Sequence, residues 1–347
     1  MMPFLFTGPG LKHLCLEPHE SVDPAGMDLL KATWQSLIDT NEPKAISQLE
    51  SVTVPSNRPE GSLLFKLATA GNLSQLRTLE IGCRIVNIAG LFPNLKRLFL
   101  DLNTRNPRTS TIKTDIEESI TGVLAFRSLE YLYIRGLRIV EGLDRIIQHH
   151  DPSLRGLALV PDRLHEYPRL HLSELLEMAI RCPNLEELRL QIRRSMGNQA
   201  ECEIYKALST LPNLQRLFLD LDFDARPKLP ALGSHKTEDL DALRQTFINA
   251  AMDQSLALQI WSMIRNKSSR LKDLRLFPFG NQRFSAEECY LLNCFARSYL
   301  LTYYNLENPG VPVMEQIGKR AWEIKRAMQE SWTDTIRDGD HHLSNRI

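Results

Sequence analysis

The sequence predicts an α/β fold built from repeated helix–turn–strand units, on three observations. Pro93 to Asn103 reads PNLKRLFLDLN and Pro212 to Asp222 reads PNLQRLFLDLD, so a near-identical segment occurs twice. The spacing L-x-x-L-x-L recurs along most of the chain. The segments leading into these triplets have the 3.6-residue apolar periodicity of helices.

The triplets carry the strands. They fall at Leu11, Leu14, Leu16; Leu76, Leu79, Ile81; Leu95, Leu98, Leu100; and Leu129, Leu132, Ile134. They continue at Leu154, Leu157, Leu159; Leu185, Leu188, Leu190; Leu214, Leu217, Leu219; and Leu271, Leu274, Leu276, with a weaker one at Leu49, Val52, Val54. The last four residues of each triplet alternate as a strand does, so the second and third leucines share one face and their neighbours the other. This is the signature of a leucine-rich repeat. It predicts a horseshoe-shaped solenoid with parallel strands on the concave face and helices on the convex face.

The helices follow from what lies between. Leu172, Leu175, Leu176, Ala179 and Ile180 form one apolar stripe, Ile204, Leu208 and Leu211 a second, and Leu256, Ile260 and Ile264 a third. Thr114 and Glu117 have capping-box spacing, which starts a helix there. Pro183 and Pro212 follow their stripes, where proline ends a helix. Repeat spacing is short from Leu76 to Leu95 and long from Leu214 to Leu271. The long gap holds the loop RPKLPALGSHK and then an extra helix over Thr237 to Ala251. Residues 1–280 are expected to form the solenoid. Residues 281–347 are expected to form a helical cap and tail, with one helix running from the Ser285/Glu288 capping box through Leu291, Phe295 and Leu300. A second helix spans Glu315 to Ile336, and the tail RDGDHHLSNRI is expected to be disordered.

Composition narrows the function. Hydrophobic residues make up 43% and charged residues 24% of the 347, and the formal net charge is zero. Without a basic excess, nucleic acid is not an expected partner. No apolar run reaches the roughly 20 residues that span a bilayer, and MMPFLFTGPG lacks the charged start of a secretory signal. An intracellular monomer, cytoplasmic or nuclear, is expected. The six cysteines are scattered and read as reduced, mostly buried thiols.

The candidate binding residues are those that alternation places opposite the leucines: Arg97, Phe99, Asp101, Tyr131, Tyr133, Arg189, Arg216, Phe218, Asp220 and Arg275. With strands about 4.8 Å apart they form a ladder of rings and guanidinium groups, the residue types enriched at binding hot spots. Leu98 is expected inside and Phe99 outside. The bland reading of the same row is arginines and acids paired across strands as a solvated face. Catalytic constellations are absent: there is no G-x-S-x-G, P-loop or G-x-G-x-x-G. His149 and His150 end a helix and are read as favouring its C-terminus rather than as metal ligands. His341 and His342 have no evident partners, and Cys289 and Cys294 do not share a helix face. Asp115, Glu117 and Glu118 suit a helix start. No cofactor or metal is expected.

The irregular repeat length, the P-N-L lead-ins and the segment CPNLEELRL at Cys182 resemble the repeats of fungal F-box proteins, from Leu11 to about Leu276. The resemblance implies capture of a protein by the repeats, and a non-catalytic protein-binding scaffold is the reading adopted. In that family a helical F-box ahead of the repeats docks the Skp adaptor of a cullin–RING ubiquitin ligase. Only ten residues precede Leu11 here, so no F-box is expected. The alternative is a ligase substrate receptor whose F-box is missing from this chain. An enzyme with a degenerate site on the insertion loop is a third reading. The family's asparagine after the strand is matched at Asn103 and replaced at Asp162, Arg193, Asp222 and Phe279, so no continuous ladder is expected.

Overall fold

The computed structural model describes residues 12–15, 49–54, 73–81, 89–102, 112–137, 140–160, 170–223, 240–265, 270–280, 292, 295–303 and 312–317. The chain divides into two units, Met1–Arg135 with Glu141–Ser153, and Gly136–Val140 with Leu154–Ile347. Each is mixed α/β with an open, largely parallel sheet.

In the first unit β1 (His13–Cys15), β2 (Ser51–Val54), β3 (Thr78–Ile81), β4 (Arg97–Asp101) and β5 (Tyr131–Arg135) lie side by side in chain order, all parallel. The leucine positions stay in register, Val52 to Leu79 to Leu98 to Leu132 and Val54 to Ile81 to Leu100 to Ile134. Each is buried, so the triplets build one continuous apolar row per position. The unit carries α1 (Ile112–Leu124) and α2 (Val140–His150). They approach closely: a Cβ on Gly142 would stand 2.2 Å from Cδ1 of Ile120. Because α1 already begins at Ile112, Thr114 lies within the first turn and is not the cap.

In the second unit β6 (Gly156–Val160), β7 (Glu187–Arg193), β8 (Arg216–Asp222) and β9 (Asp273–Phe279) are parallel. Leu157, Leu188, Leu217 and Leu274 form one in-register row, and Leu190, Leu219 and Leu276 another. The strands β7 to β9 run beyond the third leucine because alternation continues through buried Ile192 and Leu221. The helices are α3 (Leu172–Arg181), α4 (Gln199–Leu208), α5 (Leu240–Ala250) and α6 (Gln254–Arg265). The extra helix expected over Thr237 to Ala251 is α5. The stripe on α6 is as expected, with Ile260 and Ile264 buried. That on α3 is displaced: Leu175 and Met178 are buried while Leu176 is 41% and Ile180 81% exposed.

The P-N-L lead-in has a structural role. Proline and asparagine occupy the turn before the strand, and Leu95 N–H and Leu185 N–H close it onto the Phe92 and Cys182 carbonyls at 3.2 and 3.1 Å. The asparagine side chain then reaches to the segment before the neighbouring strand: Asn94 Nδ2 donates to the Ser74 carbonyl and Asn213 Nδ2 to the Pro183 carbonyl, both at 2.7 Å. These carbonyls lie in turns, where no strand ladder would pair them. Asn103, the expected post-strand asparagine, lies outside the described residues.

The expected helical cap is corrected. Leu292 and Phe295 are helical, but Ser298–Thr302 is β10, antiparallel to β9, and Val313–Ile317 is β11, antiparallel to β10. Tyr299 and Leu301 are fully buried while Leu300 is not. That is a period of two, so the helical stripe through Leu300 was the wrong periodicity for this segment. The capping box at Ser285, residues 318–336 and the tail lie outside the described residues.

Candidate functional site

In each unit the candidate residues lie on the strand face opposite the leucines, in register. In the first unit Thr78, Arg97 and Tyr131 form one row and Glu80, Phe99 and Tyr133 the next, with Asp101 beside Arg135. The Arg97 guanidinium lies 4.6 Å from the centre of the Tyr131 ring, and the Phe99 and Tyr133 rings are 5.7 Å apart. Arg135 donates to Asp101 Oδ2 and to the Tyr133 hydroxyl, each at 3.2 Å. Thr53 donates to Glu80 at 3.3 Å. Glu80 belongs to this face by the same alternation as Phe99, a signal present in the Leu79–Ile81 triplet that the residue ladder above did not include.

In the second unit Arg189, Phe218 and Arg275 align across β7, β8 and β9. The two guanidinium groups lie 4.0 and 4.5 Å from the Phe218 ring centre, a cation–π arrangement on one ring. Asp220 accepts from Arg189 at both oxygens, at 2.9 and 3.2 Å. Arg216 pairs with Glu187 at 2.7 Å, and Gln191 donates to Asp222 at 3.1 Å. Burial pushes the Asp273 carboxyl up, with Arg216 and Lys272 pulling it back.

Burial corrects the sequence expectation. Phe99, Tyr133, Arg189, Phe218, Asp220 and Arg275 are buried, Phe218 to 1% exposure, whereas Arg97, Asp101, Tyr131 and Arg216 keep partial exposure. Parallel strands stand about 4.8 Å apart, so bulky groups in register cover one another. Phe218 has a guanidinium on each side; Arg97 has only Thr78 on one side and stays half-open. Neither the fully exposed ladder nor the solvated face describes this surface. It is an ion-paired, ring-stacked layer with a few reachable groups.

The turn after β7 is closed by a buried carboxylate. The buried Glu201 carboxylate accepts from the N–H groups of Ser195 and Gly197 at 2.6 and 3.0 Å and from the Tyr205 hydroxyl at 2.9 Å, and pairs with Arg194 at 2.8 Å. Burial raises the Tyr205 phenol well above its ordinary range, and the Glu201 charge adds to it.

The two histidines also differ from expectation. His150 is buried, and its Nδ1 accepts from Leu129 N–H at 3.3 Å. Burial, with His149 beside it, lowers its pKa to about 4. His150 is therefore neutral near pH 7 and cannot favour the helix C-terminus as a cation. His149 Nε2 contacts the Phe126 carbonyl at 2.9 Å, which requires that nitrogen to donate. His341, His342, Cys289 and Cys294 lie outside the described residues. Among the described residues no helix is long and apolar enough to cross a membrane. The chain matches no protein-family model and no curated protein.

Proposed function

We propose that this chain is a leucine-rich repeat solenoid that binds a protein partner without catalysing a reaction, as an intracellular monomer, using the strand face opposite the leucine rows. The observation that carries this reading is the pattern of exposure on that face. In the first unit Arg97 and Tyr131 stay reachable above a layer of stacked rings and buried ion pairs, and in the second unit Arg216 does. A rigid layer bearing a few accessible aromatic and guanidinium groups suits hot-spot recognition, because little side-chain freedom is lost on binding. The leucine register supports the repeat reading. The buried members of the row support their neighbours and are not themselves contact residues in this proposal.

Affinity capture with mass spectrometry tests it, comparing the wild type with an Arg97→Ala/Tyr131→Ala variant and with a helix-surface control, Glu177→Ala/Lys206→Ala. The expected result is loss of the main partner in the first variant only, with thermal unfolding of both variants close to wild type. Loss in the control variant alone would move the site to the helices.

A further inference from the structure

The last strand of the second unit ends both rows of its sheet without a partner among the described residues, since β11 pairs with β10 alone. On the leucine side the fully buried series Leu217, Leu274, Leu301 is followed by Met314, which is only half-buried, and Tyr299 is followed by exposed Gln316. On the opposite side Phe218, Arg275 and Leu300 are followed by Glu315. Open edges in stable proteins are usually blunted by charged side chains, lysine above all, by a proline, a bulge or great shortness. Val313–Ile317 is five residues of unbroken strand with no lysine, arginine, glycine or proline, and Val313 is 50% exposed. Its only charge is the carboxylate of Glu315.

We infer that β11 is an edge for strand addition, and that its occupant is an extended peptide segment with one basic residue flanked by apolar residues. Backbone pairing supplies the affinity of such additions and alternate side chains the selectivity. A residue added opposite Glu315 shares its face, where a lysine or arginine forms a cross-strand ion pair. Its two neighbours point to the leucine side, one opposite Met314, where it extends the apolar row, and the other opposite Gln316. A second copy of this chain fits less well, because two-fold antiparallel pairing centred on Glu315 sets the two carboxylates against each other.

The test uses the full chain and a fluorescein-labelled peptide, Thr-Thr-Val-Lys-Val-Thr-Thr, read by anisotropy. Saturable binding is expected. Glu315→Lys should weaken it about fivefold or more, and exchanging the peptide lysine for glutamate should restore binding to that variant. Two further peptides carry N-methyl groups on alternate residues, one set for each edge. One of them should lose binding and the other keep it, as only one peptide edge can face β11. The inference is overturned by absence of saturable binding, by indifference to the charge exchange, or by equal binding of both N-methylated peptides. Light scattering that gives the mass of two chains, with no saturable peptide binding, would also overturn it by assigning the edge to a second copy.

Discussion

Phe99 and His150 show how a residue's surroundings reverse what its position suggests. Phe99 lies beside Leu98 on the other face of β4, yet it is 5% exposed. Its truncation therefore belongs with the core: Phe99→Ala and Phe218→Ala should each cost about 3–5 kcal/mol, in the range of Leu98→Ala, by denaturant unfolding. A Phe99→Ala protein as stable as wild type would show that the ring is not packed. His150 is legible as a helix-terminal residue, but its neutrality depends on burial, which a sequence does not display. Its folded pKa of about 4 lies below its ordinary value of 6.5, so the unfolded chain takes up the proton first on acidification. Stability should then fall as the pH drops from 6.5 towards 4, by up to about 3 kcal/mol for this one group. His150→Asn keeps an acceptor for Leu129 N–H and removes the titration. The stability gap between the two proteins should change between pH 7 and pH 4.5; a constant gap would acquit His150.

At the scale of elements the triplets were a sufficient guide wherever leucine alternation met a parallel neighbour. The nine strands β1 to β9 cover the triplet positions, including the weak one at Val52 and Val54. Leu11 and Leu16 lie outside the described residues. The reading failed where the grammar stopped. Around Tyr299 and Leu301, helical and strand periods both fit a short apolar run, and pairing with β9 decides between them. The P-N-L asparagines were visible as a motif, but their reach to the previous turn needs two neighbouring strands in space. Asn213→Ala should cost about 1 kcal/mol, by leaving the Pro183 carbonyl to water. The buried pair of Arg189 and Asp220 gives a sharper test of the β7–β8 contact. Arg189→Met or Asp220→Leu alone should cost about 3–5 kcal/mol, because each strands a buried charge, and the double variant should cost less than either. Additive costs would mean that the two side chains act independently.

For the molecule as a whole, the α/β class and the parallel order of the triplet strands were readable because both follow from local alternation. The candidate face was readable only in outline. Alternation fixes which residues share a face, and within each unit the named residues share it. It does not fix how far in-register rings and guanidinium groups cover one another, so the reachable subset, Arg97, Tyr131, Asp101 and Arg216, emerges only from packing. The central claim is that Arg97, Asp101 and Tyr131 of the first unit bind a protein while the layer beneath holds them in place. The most direct measurement is titration calorimetry of the captured partner, purified, against wild type, Arg97→Ala/Tyr131→Ala and Glu177→Ala/Lys206→Ala. The strand-face variant should bind roughly thirtyfold more weakly, about 2 kcal/mol, and the helix-surface variant within about twofold of wild type. Unchanged affinity in the strand-face variant, with its fold intact, would contradict the claim.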